Sequence, residues 1–414
     1  VSDERQSVPV SDGRPEPPRT RIGRRLAAVA VGLLAASLVL TWQALRVRYT
    51  YGGNWSGLFC TGADYPVPEE LEHENLYRFP NRVGFDGQVY HYIAHDPIYP
   101  WRFQAWVDDP GLRYRRILVP LMAFVLAGGV SDRIDVAYRT VVLAWIFLGA
   151  YWVARYASLC GRRAVWGLGF LVIPTALLSA ERMTVDVALA ALCAGVAVAS
   201  RRGTRTTLFL LLVAAGLARE TGLLLVVAAS IDALLRGKRR EAALFGCAAL
   251  PVLAWFGFVA AHTTARPYPL SLWPFSGIAS AFLHPQGYLS GEARWDWLSR
   301  HWQDLNQAAD RLALLGVALA VVLAVRGLRT RRAGVMSVAA ALFSVQCALH
   351  NAPPDAWQEI DNFGRVYSPL LLAVGLDALA AGRWIGLVPP LLLWPRIGLA
   401  LLGALRAVRH GLLG

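Results

Sequence analysis

The run Gly84-Phe85-Asp86-Gly87-Gln88-Val89-Tyr90-His91-Tyr92 sets a carboxylate between two glycines and among aromatic side chains. Glycine lets backbone and ligand approach closely, and a carboxylate so placed can take a proton from a hydroxyl. Asp86 is therefore the candidate general base, with Gln88, Tyr90 and His91 as candidate substrate contacts. Such a base needs a counterpart, fixed positive charge where negative charge develops. Arg115 and Arg116 close the same polar segment. Arg182 precedes Asp186 in Ala180-Glu181-Arg182-Met183-Thr184-Val185-Asp186, Arg219 and Glu220 sit between two short apolar runs, and Arg365 lies in Asn362-Phe363-Gly364-Arg365-Val366-Tyr367-Ser368-Pro369. A guanidinium can hold two phosphate oxygens at once. Arg115, Arg116, Arg182, Arg219 and Arg365, with Asp186 and Glu220, complete the candidate binding set.

Each of these residues also has a plain structural reading. Asp86-Gly87 can be a solvated turn, Asp186 an acid at a helix N-terminus, Arg219 the partner of Glu220 in a kink, and Arg365 a snorkelling anchor. His91 and His95 have the i, i+4 spacing of a shared helical face, with Asp96, Asp108 and Asp109 nearby, but no HExxH pattern occurs. The expectation is no metal and no cofactor. The sequence contains no GxxxxGK[ST], no GxGxxG opening a helix and no GxSxG elbow, so nothing supports nucleotide-driven chemistry.

The elements that must position these groups are membrane helices. Of 414 residues, 56% are hydrophobic and 17% charged, and apolar runs recur along most of the length. The pattern predicts an all-α multi-pass integral membrane protein, a bundle of about 10–12 transmembrane helices with a long first extracytoplasmic loop. The runs fall at about 26–45, 135–158, 164–180, 185–200, 207–218, 221–235, 242–261, 312–326, 333–349, 363–381 and 384–405. Residues 1–25 read as a disordered cytoplasmic tail, 26–405 as the membrane domain, 46–116 and 262–311 as its large extracytoplasmic loops, and 406–414 as a basic tail. The first run reads as a retained anchor.

The net charge of +13 resides in arginine clusters between apolar runs, which orients spans and argues against a nucleic-acid partner. Those clusters all fall inside if 117–130 forms a hairpin or interfacial helix on the outer face. Pro389, Pro390 and Pro395 are expected to break the last run into a re-entrant pair. Cys60, Cys160, Cys193, Cys247 and Cys347 show no disulfide framework.

The order of parts resembles the GT-C superfamily of polyprenyl-phosphate-sugar-dependent glycosyltransferases. It consists of a first span, an outer loop with Phe85-Asp86-Gly87-Gln88-Val89-Tyr90, then Arg115-Arg116-Ile117-Leu118-Val119-Pro120, a span reaching Asp186 and a late Arg365-Val366-Tyr367-Ser368-Pro369. The likeness covers residues 26–381 and is nearest to bacterial cell-surface glycopolymer proteins, related to protein O-mannosyltransferases and lipid A aminoarabinose transferases. It implies a bacterial inner-membrane enzyme with an extracytoplasmic site, inverting transfer from a polyprenyl-phosphate sugar to a surface glycan, lipid or protein acceptor, and Asp86 as base. Gly87-Gln88 stand where the superfamily's first loop commonly has a second acid, which weakens an inference of metal dependence. A lipid-linked-sugar flippase or exporter, or a non-catalytic component of a glycopolymer assembly complex, are the alternatives.

Overall fold

Arginines that the sequence pattern leaves outside the first apolar run are part of its helix. In the computed structural model, which describes residues 18–264, 272–285, 287, 300–329, 334–350 and 360–413, helix α1 spans Pro18–Thr50. The disordered tail expected over 1–25 thus falls on residues 1–17, outside the described residues, and on eight residues that are helical.

After α1 comes a segment that is an ordered cap, not a slack loop. It contains helix α2 (Glu69–Glu72), a two-residue parallel pair of β1 (Thr61–Gly62) and β2 (Arg78–Phe79), then α3 (Asp86–His95) and α4 (Pro110–Arg113). Val67, Leu71, Tyr92 and Phe103 form a small core of their own beneath it. Asp109 caps α4 by accepting the Leu112 amide at 3.1 Å, with Pro110 at the first helical position. Helix α5 (Leu118–Ala127) is a single short helix and not a hairpin, ended by Gly128 at φ 66°. Its ten residues give a rod of about 15 Å, half the thickness of a bilayer core.

The bundle follows. Helix α6 (Ile134–Leu159) packs against α1 and against α8 (Asp186–Arg202). Between them a 3-10 stretch, Ala164–Val172, bends by 62° into α7 (Pro174–Arg182), because Pro174 has no amide to continue the ladder. Every residue of α8 from Asp186 to Ala199 is buried, and its many alanines let neighbouring backbones come close. Helices α9 (Arg205–Ala218) and α10 (Leu223–Leu235) meet at Glu220. Then come α11 (Arg239–Gly246), α12 (Ala249–His262), α13 (Ser276–Leu283), α14 (Trp302–Leu328), α15 (Val335–Leu349), α16 (Ile360–Val366), α17 (Ser368–Ala381) and α18 (Val388–Leu413).

Two expectations for the C-terminal part need correction. The last run is one helix with Pro395 inside it, not a re-entrant pair, and the expected tail from 406 belongs to that helix as far as Leu413. Flanking turns support a proline within a long helix when the neighbours supply packing, here α14, which lies along α18.

Among the described residues, five helices are long and apolar enough to cross a membrane: Ile22–Thr50, Ser131–Leu159, Arg239–His262, Trp302–Leu328 and Trp384–Leu412, with a sixth if the bent 164–182 pair counts as one. Arg205–Ala218, Val335–Leu349 and Ser368–Ala381 are apolar but shorter. The protein is an all-α membrane protein with several spanning helices. The chain direction brings the end of α1, the start of α6, the end of α7, the start of α8 and the α9–α10 junction to one end of the bundle, under the cap.

Candidate functional site

The candidate residues converge because each stands at a helix end or in the cap. Asp86 is the first residue of α3, where the helix dipole favours a carboxylate. It is not a solvated turn. Gly87 follows because nothing larger fits: a Cβ there would stand 2.1 Å from the Arg182 carbonyl oxygen. Asp186 opens α8, and the turn before it is fixed by Ser179, whose hydroxyl pairs with Thr184 at 2.9 Å and accepts the Val187 amide at 3.2 Å.

These groups close into a ring of alternating charge. Arg113 donates to Asp86 Oδ1 at 2.8 Å, and Arg365 Nη1 lies 2.6 Å from Asp86 Oδ2. Arg365 also reaches Asp186 Oδ2 at 3.4 Å, and Asp186 pairs with Arg219. Arg219 stands 3.6 Å from Glu220, which accepts two bonds from Arg116, each of 2.8 Å. The Tyr90 hydroxyl, 3.2 Å from Arg116 Nη1 and 3.5 Å from Arg113 Nη1, completes the circuit. Three carboxylates and four guanidiniums are thereby drawn from α3, α4, the turn after α4, α8, the α9–α10 junction and α16. Burial raises the Asp86 pKa, but Arg113 and Arg365 overcome it and hold its carboxyl well below the usual carboxylate range. Asp86 is ionised at any physiological pH.

Beside the ring lies a cavity of about 720 Å³. Arg46, Arg82, Arg182 and Arg396 line it, with Glu181 the acid among the described lining residues; Arg46 donates to Glu181 at 3.1 Å and Arg396 to Asp310 at 2.8 Å, while Ile397, Ala400, Leu401 and Ala404 of α18 give it an apolar wall. Phe85 is the partition between the two compartments. The Arg182 guanidinium stacks over its ring at 4.2 Å, and that of Arg365 lies 5.2 Å from the same ring centre. The cavity can take an anion with an apolar attachment, and the ring beside it offers an ionised carboxylate.

Of the predicted set, Asp86, Tyr90, Arg116, Asp186, Arg219, Glu220 and Arg365 are brought into one ring, and Arg182 into the cavity next to it. Three residues are placed otherwise. Gln88 ties the cap together, accepting the Gly62 amide at 3.0 Å and donating to the Val83 carbonyl at 2.7 Å. His91 is fully buried and turned from Asp86 towards Asp135. Arg115 stands over Phe256 of α12, 5.6 Å from its ring centre. Arg219, expected in a wet cavity, is buried between Asp186 and Glu220.

Arg113, a principal partner of Asp86, is not among the residues expected from the sequence. Its signal was available: Arg113 and Arg116 are three apart and share a helical face, whereas Arg115 points away from both. Arg46, Arg82 and Arg396 carried no local signal, since they meet only through the packing of α1, the cap and α18.

Comparison with protein-family models, with curated proteins and with solved structures found no match for this chain.

Proposed function

We propose that the protein is a membrane glycosyltransferase of GT-C type, transferring a sugar from a polyprenyl phosphate to a cell-surface acceptor on the extracytoplasmic side of a bacterial inner membrane. The observation that carries this reading is the cavity beside Asp86, with four arginines at its polar side and the apolar face of α18 as its wall. That combination matches an isoprenoid phosphate: the guanidiniums take the phosphate oxygens and α18 takes the chain.

In this reading the acceptor hydroxyl gives its proton to Asp86, its oxygen bonds to the anomeric carbon, and the bond from that carbon to the phosphate oxygen breaks with its electron pair. Attack from the face opposite the phosphate inverts the centre. Polyprenyl phosphate departs with the negative charge, which Arg182 and its neighbours stabilise. Asp86 clamped by two arginines is a weak base, since proton-accepting power falls with pKa. An arriving phosphate adds negative charge beside the ring, which raises the basicity of Asp86 where it is needed.

The test is transfer by the purified protein in lipid, given radiolabelled polyprenyl-phosphate sugars and an envelope extract as acceptor. Label appearing on an acceptor with release of polyprenyl phosphate supports the proposal. Movement of intact donor across the bilayer without transfer would replace it with a flippase.

A further inference from the structure

Helix α3 has a second face. At about 100° per residue, His91 and His95 stand about 140° and 180° from Asp86 around the helix axis. There they meet Asp135, near the start of α6, and Glu74, from the cap. One ligand atom from each of Glu74, His91, His95 and Asp135 lies within 4.8 Å of all the others. The nearest neighbours are closer still: His91 Nε2 is 2.6 Å from Asp135 Oδ1 and 3.1 Å from His95 Nε2. Tetrahedral zinc with bonds of about 2.0–2.1 Å holds its ligand atoms about 3.3 Å apart. The cluster is close to that size already.

We propose that these four residues bind one zinc ion in a closed structural site. Donor chemistry favours it, since two imidazoles and two carboxylates are zinc ligands of the ordinary kind. A supporting shell is also present. Ser131 lies 2.8 Å from His95 Nδ1 and donates to Glu74 at 2.9 Å, which turns the Nε2 of His95 towards His91. Phe59 stacks on the His91 ring at 4.0 Å and fixes its plane. Two carboxylates set this close repel each other, and a dication removes that penalty. The acids that sequence reasoning set beside the histidines do other work: Asp96 accepts the Phe103 amide at 2.9 Å, Asp108 pairs with Arg113, and Asp109 caps α4.

All four protein ligands leave no position for substrate, so the ion acts by position. It ties the cap, α3 and α6 together and so holds the helix whose other face carries Asp86. This is independent of what the ring does chemically, and so is its test.

The test is metal content of the chain purified without a polyhistidine tag. Elemental analysis should find about one zinc per chain, retained in Asp86→Asn and reduced by about tenfold or more in His95→Gln and in Asp135→Asn. Zinc retained in either of these two variants overturns the site. If either variant cannot be recovered folded, cobalt decides with the unaltered chain. After chelation, one equivalent of Co²⁺ should give the intense visible bands of tetrahedral coordination, displaced by one equivalent of Zn²⁺. No such bands, or no saturable binding, overturns the proposal.

Discussion

The two faces of α3 have the same length of helix and opposite use of charge. The Asp86 and Tyr90 face ends in a ring where every carboxylate has guanidinium partners, and the ring borders a cavity. The His91 and His95 face ends in a cluster of two acids and two imidazoles in which no arginine takes part among the ion pairs described. One face is neutralised from within the protein; on the other, Arg139 acts on Asp135 only from beyond ion-pair distance, and the proposed zinc would balance the two acids. If both proposals hold, a single ten-residue helix separates chemistry from anchorage by half a turn of rotation. Substitutions on the first face should change turnover, and those on the second should change order in the cap.

Within the ring, members are not equivalent, and three substitutions sharpen that. The largest expected effect is on stability, from Arg116→Ala. It leaves the half-buried Glu220 beside fewer cations; breaking one side of a fully buried pair costs about 3–5 kcal/mol, and partial exposure of Glu220 places the loss towards the lower end. Denaturation in detergent should show it, and a loss below about 1 kcal/mol would mean the Arg116–Glu220 pair does not hold the α9–α10 junction.

Next is Arg365→Ala, read by pH. Asp86 has a folded pKa below its unfolded value of about 3.9. Its stabilising contribution is therefore complete above that value and disappears as pH falls through the folded pKa. Between pH 5 and 8 the wild-type kcat/KM should show no limb from Asp86. With Arg365 removed, the acid limb should move up by about 1–3 pH units, the size of shift one neighbouring arginine causes. An unmoved limb would remove Arg365 from the site's electrostatics. The smallest effect is expected at Arg182, in the cavity. Arg182→Ala should raise the donor KM by about tenfold, the cost of one charge-assisted contact of about 1.5 kcal/mol, and Arg182→Lys should raise it less. Equal, negligible changes would leave Arg182 only a stacking partner of Phe85.

How much of this was legible follows from how local each signal is. Helices came from apolar runs, and most stand where the runs predicted. Broken pieces were harder: Pro174 bends 164–182, whereas Pro395 does not break α18, because neighbouring packing decides and a proline alone does not. Asp86, Asp186, Glu220 and Arg365 were visible as charges at the ends of apolar segments. Arg113 lay in the same segment but was overshadowed by the Arg115-Arg116 pair, of which Arg115 faces α12. His91 and His95 share a face by their spacing, but Glu74 and Asp135 carry no such signal, since only the fold of the cap over α6 brings all four ligand atoms within 4.8 Å of one another.

The proposed role of Asp86 as base is measured most directly by single-turnover transfer. Asp86→Asn keeps the side chain's size, and the protein should remain folded with its donor bound. At saturating donor the transfer rate should fall by about 10²–10⁴-fold, the range that general-base assistance supplies. A folded, donor-bound Asp86→Asn protein that transfers sugar within a few-fold of the wild-type rate would show that Asp86 is not the base.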